Sequence, residues 1–453
     1  MKFGPYPKYK DSGVQWLGAV PEEWDITPLK HVASLQGRLG WQGLRADEYT
    51  DEGPYLVTSE HFSNERVDWA RCYHVSPARY AQAPEIQLRA DDLLMMKDGA
   101  AMGKLAYVEF IPGPACLNSH LLLFRPLMGR FLNRFLFYVL GGPSFESYMT
   151  QERTGTTFFG ISQESIGTFR LALPPLEEQH RILELLNREV TRIDTLIAKQ
   201  ERLIAFLQEK RQALISHAVT KGLNPGAPMK PSGIEWLGDV PAHWAVTRLR
   251  RVADGGLING LFKTKDSYGR GAPLVNVFDV YQRDSQIQPE TLDRVETTSA
   301  EMEKYSVVAG DLLFVRSSLK LEGIGVSALV REVFEPTVFE CHLVRLRPRR
   351  NLVVPRFLSL YLSAMPVRHR LVAAAQTTTM TTIGQEGIAC LEVLLPPTPE
   401  QVQIIDHLDL ETRKHDEIVV KAQRSIALMR EHRTALISAA VTGKIDVREP
   451  SHA

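Results

Sequence analysis

No run of 18 apolar residues occurs anywhere in the chain, so no membrane-spanning helix is expected. Cysteine is scarce: Cys72, Cys116, Cys341 and Cys390 are scattered, with no C-x-x-C pair. That argues against a disulfide framework and a cysteine zinc site, and fits a reducing cytoplasm. Residues 1–7 lack the apolar core of a signal peptide. Neither sign of charge is in excess, with 53 basic and 53 acidic residues. A protein that grips DNA alone is usually basic. Either nucleic acid is not the ligand, or the basic residues are gathered on one face, or a partner supplies much of the phosphate contact.

Catalytic signatures are missing too. The stretch 99–105 (GAAMGKL) has three residues between its glycines, not four, and Leu105 stands where a phosphate-binding loop needs Ser or Thr. It reads as a turn between strands, with Lys104 exposed. No N-P-P-Y-type tetrapeptide and no H-E-x-x-H occurs. His342, beside Cys341, reads as a core residue. Asp91 and Asp92 sit at a strand entry, where a solvated turn is the usual explanation. Nothing here points to an enzyme, a metal site or a cofactor held by this chain.

What the chain does contain is itself, twice. Residues 211–220 (RQALISHAVT) return as 433–442 (RTALISAAVT), eight of ten identical at an offset of 222. Residues 12–32 return as 232–252 with eleven of 21 matching, including S-G-[VI]-x-W-L-G-x-V-P-x-x-W. L-P-P-x-x-E-Q opens at both Leu173 and Leu395. Such self-similarity marks an internal repeat. The glycines and prolines of each 13-residue segment set turns, and its two tryptophans are apolar anchors, so it reads as a structural clasp.

Between clasp and helix each half reads as a mixed α/β unit. Strand candidates in the first are 54–58, 92–96, 104–108, 120–124 and 168–173, with short helices at 131–140 and 145–149. In the second they are 272–277, 311–316 and 342–346. The long helices follow. Steps of four and three from Ile182 give Leu186, Glu189, Ile193, Leu196, Gln200, Leu203, Leu207, Lys210 and Leu214, seven of ten apolar. The second copy gives a weaker seam through Ile404, Leu408, Ile418, Met429 and Leu436, which needs a partner helix, and the first copy is the obvious one. About 40 residues make a rod of roughly 60 Å. Residues 222–231 form the loop that best divides the halves. The unit middles hardly match, apart from Asp92-Leu93-Leu94 against Asp311-Leu312-Leu313, His120-Leu121 against His342-Leu343, and Thr156-Thr157 against Thr378-Thr379. One fold therefore carries two different surfaces.

The paired clasps, the paired L-P-P-x-x-E-Q helix starts and the paired A-L-I-S-x-A-V-T helix ends resemble the specificity subunit of type I DNA restriction–modification systems, over essentially the whole chain. The resemblance implies an α+β fold with two mixed α/β target recognition domains. Two long antiparallel coiled-coil helices separate them, in a pseudo-two-fold internal repeat. The expected divisions are a clasp at 1–24, a recognition domain at 25–175, a helix at 176–221, a linker and second clasp at 222–244, a second recognition domain at 245–397, a helix at 398–442 and a frayed tail at 443–453. Each domain would read one half of a split, asymmetric DNA sequence. The helices would set the spacing and dock two modification (methyltransferase) subunits, with restriction (translocase-nuclease) subunits joining them. S-adenosylmethionine, ATP and magnesium are then expected on those partners, and double-stranded DNA is the ligand.

By analogy with that family the DNA-reading loops are those of Thr58, Ser59, Lys97, Lys104, Gly155, Thr156 and Thr157. Their second-unit counterparts are Asn276, Arg316, Ser317, Lys320, Thr377, Thr378 and Thr379. Small polar residues let backbone approach phosphate, and Thr, Asn and Arg reach base edges. The threonines serve equally well as structural loops. The competing function is a coiled-coil scaffold that joins partners without reading DNA.

Overall fold

Two prolines end the last strand of each unit and start a long helix, and the glutamine of the E-Q pair locks the junction. The computed structural model describes residues 3–37, 44, 46–155, 159–282, 285–377 and 380–448. The helices run Leu176–Lys221 and Thr398–Val441. Pro175 and Pro397 accept the first helical N–H bonds, and Glu177, Glu178 and Glu400 favour the positive end of the helix dipole. Gln179 is fully buried; its Nε2 donates to the Pro174 and Arg130 carbonyls, and its Oε1 accepts from Leu132 N. Gln401 repeats this with Pro396 O, Leu352 O and Val354 N. The motif thus staples each long helix to the short helix above it, Asn133–Leu140 or Pro355–Ser363.

The chain folds as two compact units, residues 1–200 with 424–453, and residues 201–423. The division falls inside both long helices and not at the 222–231 loop, because each helix end is absorbed by a core. In the first unit Ile182, Leu186 and Val190 share a core with Ile437, Ala440 and Val441. Arg433 Nε lies 3.1 Å from Asp194 Oδ1. In the second, Ile215, Ala218 and Val219 pack with Ile404 and Leu408. Within each unit the two helical segments therefore run antiparallel. The seam differs in part from the expected one. Ile182, Leu186, Ile193, Leu207, Ile404 and Leu408 are buried, and Leu214, Met429 and Leu436 half-buried, but Leu196, Leu203 and Ile418 are exposed. Val190, Ile197, Val419, Ile426 and Ile437 are buried in their place. A strict 3.5-residue repeat drifts about 20° per heptad around a 3.6-residue helix, so the buried face departs from the fixed step as the heptads accumulate.

Each clasp is a hairpin, Tyr9–Asp11 with Ala19–Pro21 or Met229–Pro231 with Asp239–Pro241. Its second tryptophan, Trp24 or Trp244, is completely buried beneath it. Trp24 Nε1 donates to Glu178 Oε1 at 3.2 Å, tying clasp to helix start. The tail is not frayed as far as residue 448: Asp446 N donates to Gly4 O and Arg448 lies over the Tyr6 ring. Ile445 and Val447 supply the apolar contact that holds it.

The sheets of the units follow one plan. In the first, Leu93–Met96 runs between Leu121–Pro126 and Leu105–Tyr107, all antiparallel, with Ala33–Gln36 beyond. A second sheet pairs Tyr49–Val57 parallel to Ala115–Leu117. In the second unit Leu312–Val315 lies between Leu343–Pro348 and Ser327–Leu329, with Ala253–Asn259 beyond, and Tyr268–Val275 pairs parallel to Val338–Phe339. The expected strands are present with ends shifted by a few residues. A short helix, Gln163–Thr168, takes up the first residue of the strand expected at 168–173.

At the acidic strand entries Asp91 is an exposed turn residue as expected, but Asp92 and its counterpart Asp311 are not. Asp92 and Asp311 are 2% and 0% exposed. Asp92 takes a two-pronged bond from Arg125 at 2.7 Å and 2.7 Å, and Asp311 one from Arg347 at 2.8 Å and 2.8 Å. Each also accepts a backbone N–H three residues back, from Arg89 or Val308. A buried carboxylate is tolerable only when its lone pairs are used in this way.

Candidate nucleic-acid interface

Four loops meet at the carboxyl ends of the strands in each unit, and the same backbone bonds join them in both. The first loop follows Tyr49–Val57 or Tyr268–Val275. It begins at Thr58 or Asn276, each of which starts a single turn. Thr58 N donates to His61 Nδ1 at 3.0 Å, and Asn276 N to Asp279 Oδ2 at 2.8 Å. The third loop, 118–120 or 340–342, is held to the first strand by Asn118 N to Val57 O or Glu340 N to Val275 O, both 3.1 Å. The second, 97–99 or 316–318, leans on the third: Lys97 N donates to His120 O and Arg316 N to His342 O. The fourth closes on the second through Ile161 N to Lys97 O and Ile383 N to Arg316 O. Residues far apart in sequence thus form one surface per unit.

The structure brings together most of the expected reading residues. Lys97 is half-buried in the second loop of its unit, and Arg316 and Ser317 in that of theirs. Gly155 is exposed, with φ of 101°, in the fourth loop, and Thr377 ends the strand Gln376–Thr377 of the other. Thr156, Thr157, Thr378 and Thr379 lie outside the described residues. Thr58 and Asn276 are 6% and 8% exposed and spent as turn caps, while Ser59 is half-buried and starts the turn that Thr58 caps. Lys104 is exposed as expected, with its Nζ 2.8 Å from Phe62 O. Lys320 is exposed beside Leu319, which is 86% exposed.

Two histidines on this surface escaped the sequence reading. His342 is exposed, not a core residue, because it stands one position before the strand Leu343–Pro348 begins. His120 occupies the same place before Leu121–Pro126, exposed, with Nδ1 2.7 Å from Asp98 Oδ1. The recurrence of His-Leu at an offset of 222 was the available signal. Arg153 is exposed and stacks over Phe159, 4.4 Å from the ring centre.

The surfaces differ in chemistry. The first unit presents Lys97, Asp98, His120 and Arg153. The second surrounds a surface cavity of about 700 Å³ lined by Tyr281, Ser317, Leu319, Lys320, His342 and Met380, among others. The ligating atoms of Glu340, Cys341 and His342 lie within 4.8 Å of one another. They belong to three adjacent residues, however, and Glu340 Oε1 already accepts from Val277 N at 2.9 Å. The corresponding residues of the first unit, Asn118, Ser119 and His120, form no such set.

Burial raises the Asp279 carboxyl to about 6, opposed by its bond from Asn276 N and helped by Asp293 and Glu340. A carboxyl raised in the folded state contributes stability below its ordinary value of 3.8 that is lost as pH climbs through about 6. Asp279→Asn keeps an acceptor for Asn276 N and removes the charge. It should raise the melting temperature at pH 7.5 relative to the parent, by on the order of 1 to 3 kcal/mol of stability, and close that gap at pH 4. Melting curves across that range check it, and equal melting temperatures at pH 7.5 would refute it.

Among the described residues no helix is long and apolar enough to cross a membrane. Residues 21–204 match the family model described as the type I restriction modification DNA specificity domain. The EcoKI specificity subunit of Escherichia coli K12 is 23% identical over 438 residues, covering 94% of this chain and 90% of the relative. The EcoBI specificity subunit of Escherichia coli is 23% identical over 442 residues, covering 96% and 89%. A solved chain from a study of assembly and conformational transition in the type I R-M system superposes with a TM-score of 0.71 at 17% identity, over 94% of this chain and 99% of that one. The HsdS subunit of Thermoanaerobacter tengcongensis gives a TM-score of 0.50 at 17% identity over 94% and 98%. These structures bear on the fold alone.

Proposed function

We infer that this chain, which belongs to the specificity subunits of type I restriction–modification systems, directs its complex to DNA by reading one half of a bipartite, asymmetric site with each unit. The observation that carries the reading is the four-loop surface, assembled twice by matching backbone bonds and furnished with non-matching side chains. One scaffold with two surfaces is what two half-sites of different sequence require. Thr, Ser, Lys, Arg and Gly in these loops have the chemistry for base edges and phosphates.

The long helices set the spacing between half-sites and dock two modification subunits, and restriction subunits complete the assembly. Lys97, Lys104, Arg316 and Lys320 supply part of the phosphate grip, and the modification subunits supply the rest. That division accounts for the chain's zero formal net charge. Adenine-N6 methylation and ATP-dependent cleavage belong to the partners, together with S-adenosylmethionine, ATP and magnesium. The chain itself is a non-catalytic component that works in the cytoplasm.

Genome-wide single-molecule mapping of methylated adenine, with and without this gene, tests the assignment. A split motif should vanish on deletion; an unchanged methylome in cells that express the complex would contradict it. Exchanging 25–175 for the same region of another such subunit should then change one half of the motif only. Change in both halves would overturn the one-unit, one-half-site reading.

A further inference from the structure

His120 and His342 are an exception to the divergence of the reading surfaces. They are exposed imidazoles at the same place in both units, each just ahead of a strand and each with its carbonyl bonded by the N–H of a cationic residue, Lys97 or Arg316. Around them the loops have parted: Asp98 answers to Ser317, Asn118 to Glu340, and Ala100 and Ala101 to the exposed Leu319 and Lys320. A packing role does not explain an identical exposed side chain. The His342 ring makes no hydrogen bond among the described residues, and Arg316 Nε has no partner among them. Asp98 Oδ1 lies 2.7 Å from Nδ1 of His120, which leaves Nε2 as the ring's other polar atom.

We propose that His120 and His342, each beside its Lys97 or Arg316, grip the sugar–phosphate backbone at equivalent places in the two half-sites and carry no sequence information. This rests on the DNA-reading assignment above. Two half-sites differ in their bases but share their phosphates, so the groups that must stay the same in both units are those facing the backbone. A cation and an imidazole side by side suit a phosphate oxygen. A protein partner bound alike by both units would call for an apolar anchor in both, and the first unit has Ala100 and Ala101 where the second has Leu319 and Lys320.

The test uses the complex purified with this chain, and two labelled duplexes, one containing the methylated motif and one without it. His120→Ala and His342→Ala should each weaken binding to both duplexes by the same factor, about three- to tenfold, with the methylated motif unchanged. His342→Gln, which keeps a side-chain donor, should recover most of the loss, and unchanged melting temperatures exclude misfolding. Loss confined to the motif-bearing duplex, or a relaxed motif, would mean base reading and overturn the proposal. So would unaltered DNA binding, or loss of co-purifying subunits in place of loss of DNA. If the parent complex shows no preference between the duplexes, the DNA-reading assignment itself fails, which is a separate result.

Discussion

Gln401→Leu should lower stability by about 2 to 4 kcal/mol, although leucine fits the volume. The glutamine joins three backbone groups that have no other tie across this junction among the described residues: Pro396 O, Leu352 O and Val354 N. Leaving a buried polar group unpaired costs roughly 1 to 3 kcal/mol, and Leu352 is exposed enough for water to answer part of the loss. Val354 leads into Pro355–Ser363, so the variant also loosens that helix from the long one. Gln179→Leu should behave alike through Pro174 O, Arg130 O and Leu132 N. Gln403, two residues on and exposed, supplies the control: Gln403→Leu should stay within about 0.5 kcal/mol. Urea midpoints of the full chain measure all three. Indistinguishable midpoints for the 401 and 403 variants would show that the E-Q pair is not the staple described here.

The second large effect is expected at Asp311. Removing one member of a buried ion pair typically costs about 3 to 5 kcal/mol, because the other charge is left stranded. The Arg347 side chain retains 36% exposure, so Asp311→Ala belongs at the lower end of that range. Val308 N loses its acceptor as well. The doubly substituted Asp311→Leu, Arg347→Met should regain much of the stability, since an apolar pair of similar volume carries no desolvation cost. The functional consequence is local. Asp311 enters the strand Leu312–Val315, and Arg316 leaves it. Fraying that strand displaces the second unit's reading loop, so methylation directed through this unit's half-site should fall first. A double variant no more stable than Asp311→Ala would show that the cost comes from the lost turn bond, not from the stranded guanidinium.

Much of the architecture was legible because repeated sequence repeats its physics. The second tryptophans of the clasps recur with the same complete burial, and the glutamines of the E-Q pairs recur with the same burial and the same bonds. The seam was legible near Ile182 and Ile404 and faded at Leu196 and Ile418, because a fixed 3.5-residue step loses the true face of a 3.6-residue helix. Asp92 and His342 were misread in opposite directions. An aspartate at a strand entry looks like a turn residue until Arg125 arrives from 33 positions away. A histidine between cysteine and leucine looks buried until the strand is seen to begin one residue later.

The sequence by itself determined that there are two units of one design, where each long helix starts, and that the two working surfaces differ. Those properties follow from local chemistry and from comparing the chain with itself. Which side chains share a surface was decided only by the tertiary structure. Lys97 and His120 meet because antiparallel pairing brings two separate strand ends to one edge, and Ile161 joins them by donating its N–H to Lys97 O. The same pairing spends Thr58 and Asn276 on capping turns and leaves His120 and His342 in solvent. Register and burial are long-range consequences of packing, and no window of sequence contains them.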